Sequence, residues 1–212
     1  SGAAHPVGRN DVKSRAMHSA TGGLLILCGL LVCGGCENHD GNEWQRLVCE
    51  AQSVNGGNPL VAAFVNAGSD KIVGTDDDFQ PIDSVPVVFY ARPYGSTITL
   101  PEDGAYSWFH ITSYDLTWET GPGAPDLSAH DVEGGLADAM VPVHEEAATS
   151  VLISGSDMKN SGWFVDLYNG DIPEFQANAR LTFYGTESGS DEEIAVEAGL
   201  RVHFIGVLVE GN

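Results

Sequence analysis

From Trp44 onward, apolar and polar residues alternate along the chain with a period close to two. Runs rich in Val, Ile, Thr, Phe and Tyr, each bounded by Gly, Pro, Asn or Asp clusters, predict strands at 45–54, 60–66, 85–92, 96–100, 106–118, 149–154, 177–184 and 194–208. No window carries a sustained helical stripe with caps, and only 162–168 and 134–141 admit a short turn of helix. Eight strands without regular βα alternation predict an all-β fold. The expected architecture is an antiparallel β-sandwich, or a barrel-like sandwich, with Greek-key connections.

The clearest hairpin is ANARLTFYG, then TESGSDE, then EIAVEAGLRVHFIG. In its second arm Ala198, Leu200, Val202 and Phe204 fall on one face and Glu197, Gly199, Arg201 and His203 on the other. The first arm matches, with Ala179, Leu181 and Phe183 set against Arg180, Thr182 and Tyr184. Such alternation predicts one wet face and one core face.

Composition bounds the partners. The chain has 212 residues, 42% of them hydrophobic, which is enough to build a core. Its formal charge is −21, and Arg9, Lys13 and Arg15 precede residue 36, leaving six Lys/Arg against 29 Asp/Glu from residue 37 on. So acidic a surface repels phosphate backbones and anionic head groups, which argues against nucleic-acid partners.

Three of the four cysteines sit in LLILCGLLVCGGCENHDGNEW, residues 24–44. Cys33 and Cys36 form a C-x2-C pair, but no second pair completes a zinc tetrad, since Cys28 lies in an apolar run and Cys49 is the only other cysteine. The apolar run from Leu24 to Val32 is about half of the ~20 residues needed to cross a bilayer, and it matches the length of a secretory h-region. Gly34 and Gly35 precede Cys36, and the polar ENHDGNE follows it.

In these residues the chain resembles a bacterial lipoprotein precursor, whose lipobox places small residues before the cysteine that receives diacylglycerol. The resemblance implies lipidation at Cys36, removal of residues 1–35 as a signal peptide, and a tether at 36–43 ahead of a domain at 44–212. Cys33 stands where that box has Leu or Val. Glu37 after the cysteine implies onward transport to an outer membrane. If Met17 is the start codon, residues 1–16 are untranslated and the n-region lacks its basic residues. For Cys49, within QRLVCEAQSV, two readings stand: a buried small hydrophobe on the face of Leu47, Ala51 and Ser53, or a disulfide to Cys36 in an unlipidated exported form.

The remaining stretch is similar to a set of bacterial lipoproteins with an immunoglobulin-like sandwich. The segments that carry this resemblance are SVNGGNPLVAAFVNAG with the Asp-rich turn behind it, ITSYDLTWE, and RLTFYGTESGSDEEIAVEAGLRVHF. It implies fold and location, not an activity.

Candidate chemistry is sparse. VGTDDDFQPID gathers Asp76, Asp77, Asp78 and Asp83, a carboxylate set of the kind calcium takes, though without the order of an EF-hand loop. Asp191, Glu192 and Glu193 form a second acidic turn. Tyr90, Tyr94, Tyr106, Trp108, Phe109, Tyr114 and Trp118 fall in one span and serve either as a glycan platform or as core filling, with Trp108, Tyr114, Leu116 and Trp118 of one parity. There is no G-x-S-x-G, no H-E-x-x-H, no P-loop and no dinucleotide fingerprint, and the histidines are scattered. The expectation is a non-catalytic lipoprotein of the cell envelope, acting as a structural or protein-interaction module. It would be held to the membrane by its lipid, with self-association through sheet edges open to it. The alternative is a calcium- or carbohydrate-binding module at the cell surface.

Overall fold

A computed structural model describes residues 46–95, 107–190 and 193–209. The strands are β1 (Leu47–Val54), β2 (Leu60–Asn66), β3 (Asp83–Pro93), β4 (Trp108–Thr120), β5 (Val132–Pro142), β6 (Glu146–Ser154), β7 (Phe175–Glu187) and β8 (Glu193–Leu208). Two short helices, α1 (Ser156–Lys159) and α2 (Gly162–Asn169), fill the connection from β6 to β7. The strands form two sheets, ordered β1-β3-β6 and β2-β8-β7-β4-β5. The expected strand at 96–100 lies outside the described residues, as do the residues around Cys36.

The β7–β8 hairpin folds as its alternation dictates. Ala179 pairs with Leu200, Leu181 with Ala198 and Phe183 with Val196, and the inward side chains of β7 are fully buried. Across the sandwich Phe89 of β3 meets Phe183 edge-on, ring centroids 4.9 Å apart, so the two sheets share one core. Glu187 at the end of β7 adds a polar link between the sheets, accepting hydrogen bonds from the backbone N–H groups of Arg46 at 3.0 Å and Leu47 at 2.8 Å.

Three features depart from the sequence reading. First, 134–141 is not helix but part of β5, paired antiparallel with β4. Its Ala and Met residues suit a helix, yet Ala137, Ala139 and Val141 turn inward while Leu136, Asp138 and Met140 turn out, a period of two that only sheet pairing exploits.

Second, the sheets are not wholly antiparallel, because β2 runs parallel to β8. A turn at Asn55–Gly57, with positive φ at Asn55, Gly56 and Gly57, carries the extended chain from the edge of one sheet to the edge of the other.

Third, β4 carries a bulge between Ile111 and Ser113 against both neighbours. Phe109 and Ile111 point inward before it, Tyr114, Leu116 and Trp118 after it, so Trp108 falls off the parity that the sequence gives it. A similar shift between Ala51 and Ser53 turns Val54 inward in place of Ser53.

One end of the sandwich is closed by α2. Ser161 precedes it, and Gly170, in the left-handed conformation at φ +80°, ends it. Phe164 and Leu167 are buried, and Phe164 stacks on Trp163 while meeting Phe204 of β8 edge-on at 5.7 Å. Among the described residues no helix is long and apolar enough to cross a membrane.

Candidate functional site

The acidic turn resolves into a self-bonded loop. Asp77 accepts hydrogen bonds from the Thr75 hydroxyl at 2.8 Å, from the Ser69 hydroxyl at 2.9 Å and N–H at 2.7 Å, and from the Asp70 N–H at 3.2 Å. These donors hold its carboxyl down at about 2. Asp78 accepts from the Gly74 N–H at 2.6 Å. Asp83 belongs elsewhere: as the first residue of β3 it meets Lys159. The four aspartates named from the sequence are thus split between two environments, and among the described residues no group of three His, Cys, Asp or Glu is placed to hold a metal ion.

The aromatic span divides as well. Phe109, Tyr114 and Trp118 are in the core, and the Trp118 indole donates to the His130 carbonyl at 3.2 Å. Tyr94, 63% exposed, lies just beyond the end of β3. Cys49 is a free thiol buried in the core, and burial, with the Glu50 charge beside it, pushes it up to about 12. His110 pairs with Asp138 at 2.9 Å and His203 with Glu174 at 3.5 Å, each on the surface.

One hollow of about 560 Å³ lies over the outer face of β7 and β8, and a second of about 420 Å³, bounded by β1 and the turn after it, adjoins it along Ala198–Arg201. Gly199 forms their shared floor, and a side chain there would meet open space. In the β7–β8 register Arg180 lies directly opposite Gly199, and Arg201 lies two residues along β8 on the same face, so the two arginines are the glycine's neighbours across and along the strand. Arg180 pairs with Glu119 at 2.7 Å, while Arg201 makes no ion pair among the described residues. Two of the six Lys/Arg that follow residue 36 thus line one hollow, together with Glu119 and Glu197, a charge-balanced patch on an acidic body. The alternation of the hairpin put Arg201 and Gly199 on the wet face. The approach of Arg180 needed the register.

No protein-family model matches the chain, and no curated protein matches it either.

Proposed function

We propose that the protein is a cell-envelope lipoprotein, anchored through Cys36 at the outer membrane or cell surface, whose β-sandwich works as a structural or protein-interaction module and not as a catalyst. The single observation that carries the interaction role is the trough over Gly199. Its open backbone floor admits a partner's side chain, and Arg201 offers a fork of donors to a carboxylate.

The strand order supports the finer reading of the fold as immunoglobulin-like. A sheet of the first, third and sixth strands faces one built on the fourth, seventh and eighth, with an extra edge strand on each side. Anchoring draws its support from the short apolar run and the CGGC segment. Acyl chains on Cys36 would insert at about 0.8 kcal/mol per buried CH2.

Two measurements test this reading. The N-terminal peptide recovered from membranes of a bacterial host should carry a diacylglyceryl mass that is lost in Cys36→Ser. An unmodified peptide in the soluble fraction sinks the anchor. A photo-cross-linking residue at Asn178, on intact cells, should give one discrete protein adduct that Arg201→Glu removes. No adduct, or one indifferent to Arg201, sinks the interaction role of the trough.

A further inference from the structure

Lys159 is one of three lysines in the chain, and it is completely buried. From the end of α1 its Nζ donates to the Ala63 carbonyl of β2 at 2.5 Å and to Asp83 Oδ2 at 2.7 Å, and it lies 4.7 Å from the centre of the Phe164 ring. The Asp83 side chain is 10% exposed. Taking both charges out of water carries a desolvation cost that their mutual attraction only partly offsets. Burial accordingly raises the Asp83 carboxyl and lowers the Lys159 amine, with their hydrogen bond and attraction opposing each shift. Burial thus favours the neutral forms of both groups, the forms in which an amine can attack a carboxylic acid.

A third group adjoins the pair. Ser154 lies opposite Asp83 in the β3–β6 register and is fully buried. Its hydroxyl stands close enough to favour the charged form of Asp83, yet outside hydrogen-bond geometry with any described group.

We infer that Lys159 and Asp83 are a site of self-modification, condensing to an amide that links α1 to the start of β3. Lys159 Nζ attacks Asp83 Cγ, so an N–C bond forms. The bond from Cγ to the protonated carboxyl oxygen breaks, and that oxygen leaves as water, carrying its own proton and one from the amine. The step needs no oxidant, reductant or co-reactant.

Ser154 is the positioning residue, its hydroxyl beside the Asp83 carboxyl in the β3–β6 register. Holding the two reactants in contact replaces a bimolecular encounter, an advantage that reaches effective molarities of about 10⁵–10⁸ M in well-oriented systems. The product also suits the site. The buried ion pair would give way to a neutral amide, whose one N–H would keep the Ala63 carbonyl as its acceptor. The bond would close a loop between residues 76 positions apart in sequence.

Mass spectrometry of the purified full chain, carrying Cys36→Ser so that lipid does not enter the measurement, tests this. The folded protein should be lighter than its sequence by one water. Proteolysis should release one branched peptide containing both Asp83 and Lys159, and Lys159→Arg or Asp83→Ala should restore the full mass. Ser154→Ala should slow the loss of water while keeping its site. A wild-type chain that keeps its full mass after prolonged incubation in the folded state overturns the inference, whether or not the variants fold. So does a loss of water that leaves the two peptides separate, as dehydration at Asp103–Gly104 would.

Discussion

Tyr114 of β4 donates its hydroxyl hydrogen to the backbone carbonyl of Leu152 on β6 at 3.0 Å, a hydrogen bond that joins the five-stranded sheet to the three-stranded one. The ring that carries this hydroxyl lies against Gly135 of β5, where a Cβ would collide with it. Tyr114→Phe keeps the ring and leaves the Leu152 carbonyl without this donor. The expected loss is about 1 kcal/mol, read as a lower urea midpoint with unchanged slope.

Gly185 of β7 faces the β4 bulge. Any Cβ there would run into the His110 carbonyl and the Phe109 ring, groups that the two paired strands hold in place. Gly185→Ala should therefore destabilise by about 1–3 kcal/mol, as overpacking does. Gly199→Thr, where a Cβ meets nothing within 4 Å, should leave the melting temperature unchanged or raise it while filling the trough. Paired thermal melts of the two variants test the contrast.

Cys49, raised to about 12 by burial and the neighbouring Glu50, stays a thiol through the neutral range. Iodoacetamide at mildly alkaline pH should leave the native protein unlabelled and modify it fully in denaturant. Rapid labelling of the native state would show that β1 opens.

Asp77 has its carboxyl held at about 2, below the ordinary 3.8, by the Thr75, Ser69 and Asp70 donors. A depressed carboxyl stabilises the fold above its unfolded value and loses that contribution as pH falls from 3.8 toward 2. Acid titration followed by NMR should shift the Ser69 and Asp70 amides in that window, and Asp77→Asn should abolish the transition. With these donors in place, millimolar calcium should leave the melting temperature unchanged. A rise that Asp76→Asn/Asp78→Asn removes would instead establish calcium binding.

The sequence alone determined the elements whose faces are fixed by local alternation. The hairpin of β7 and β8 buries Ala179, Leu181, Phe183, Leu200, Val202 and Phe204 as its period requires, because each side chain's direction follows from its neighbours two residues away. The short helix α2, found where the sequence admits a turn, is bounded by Ser161 and Gly170.

What only the tertiary structure decided depends on partners distant in the chain. The bulge in β4 reverses parity at Thr112 because β5 and β7 on either side set its register. The Ala-rich and Met-containing 134–141 becomes a strand because β4 supplies the hydrogen bonds. β2 runs parallel to β8 because the turn at Asn55–Gly57 carries it across to the other sheet. Lys159, in the connection from β6 to β7, is buried because Ala63 and Asp83, 96 and 76 positions away, converge on its amine. Local pattern encodes which side of a strand is wet; it holds no record of which distant group will stand opposite.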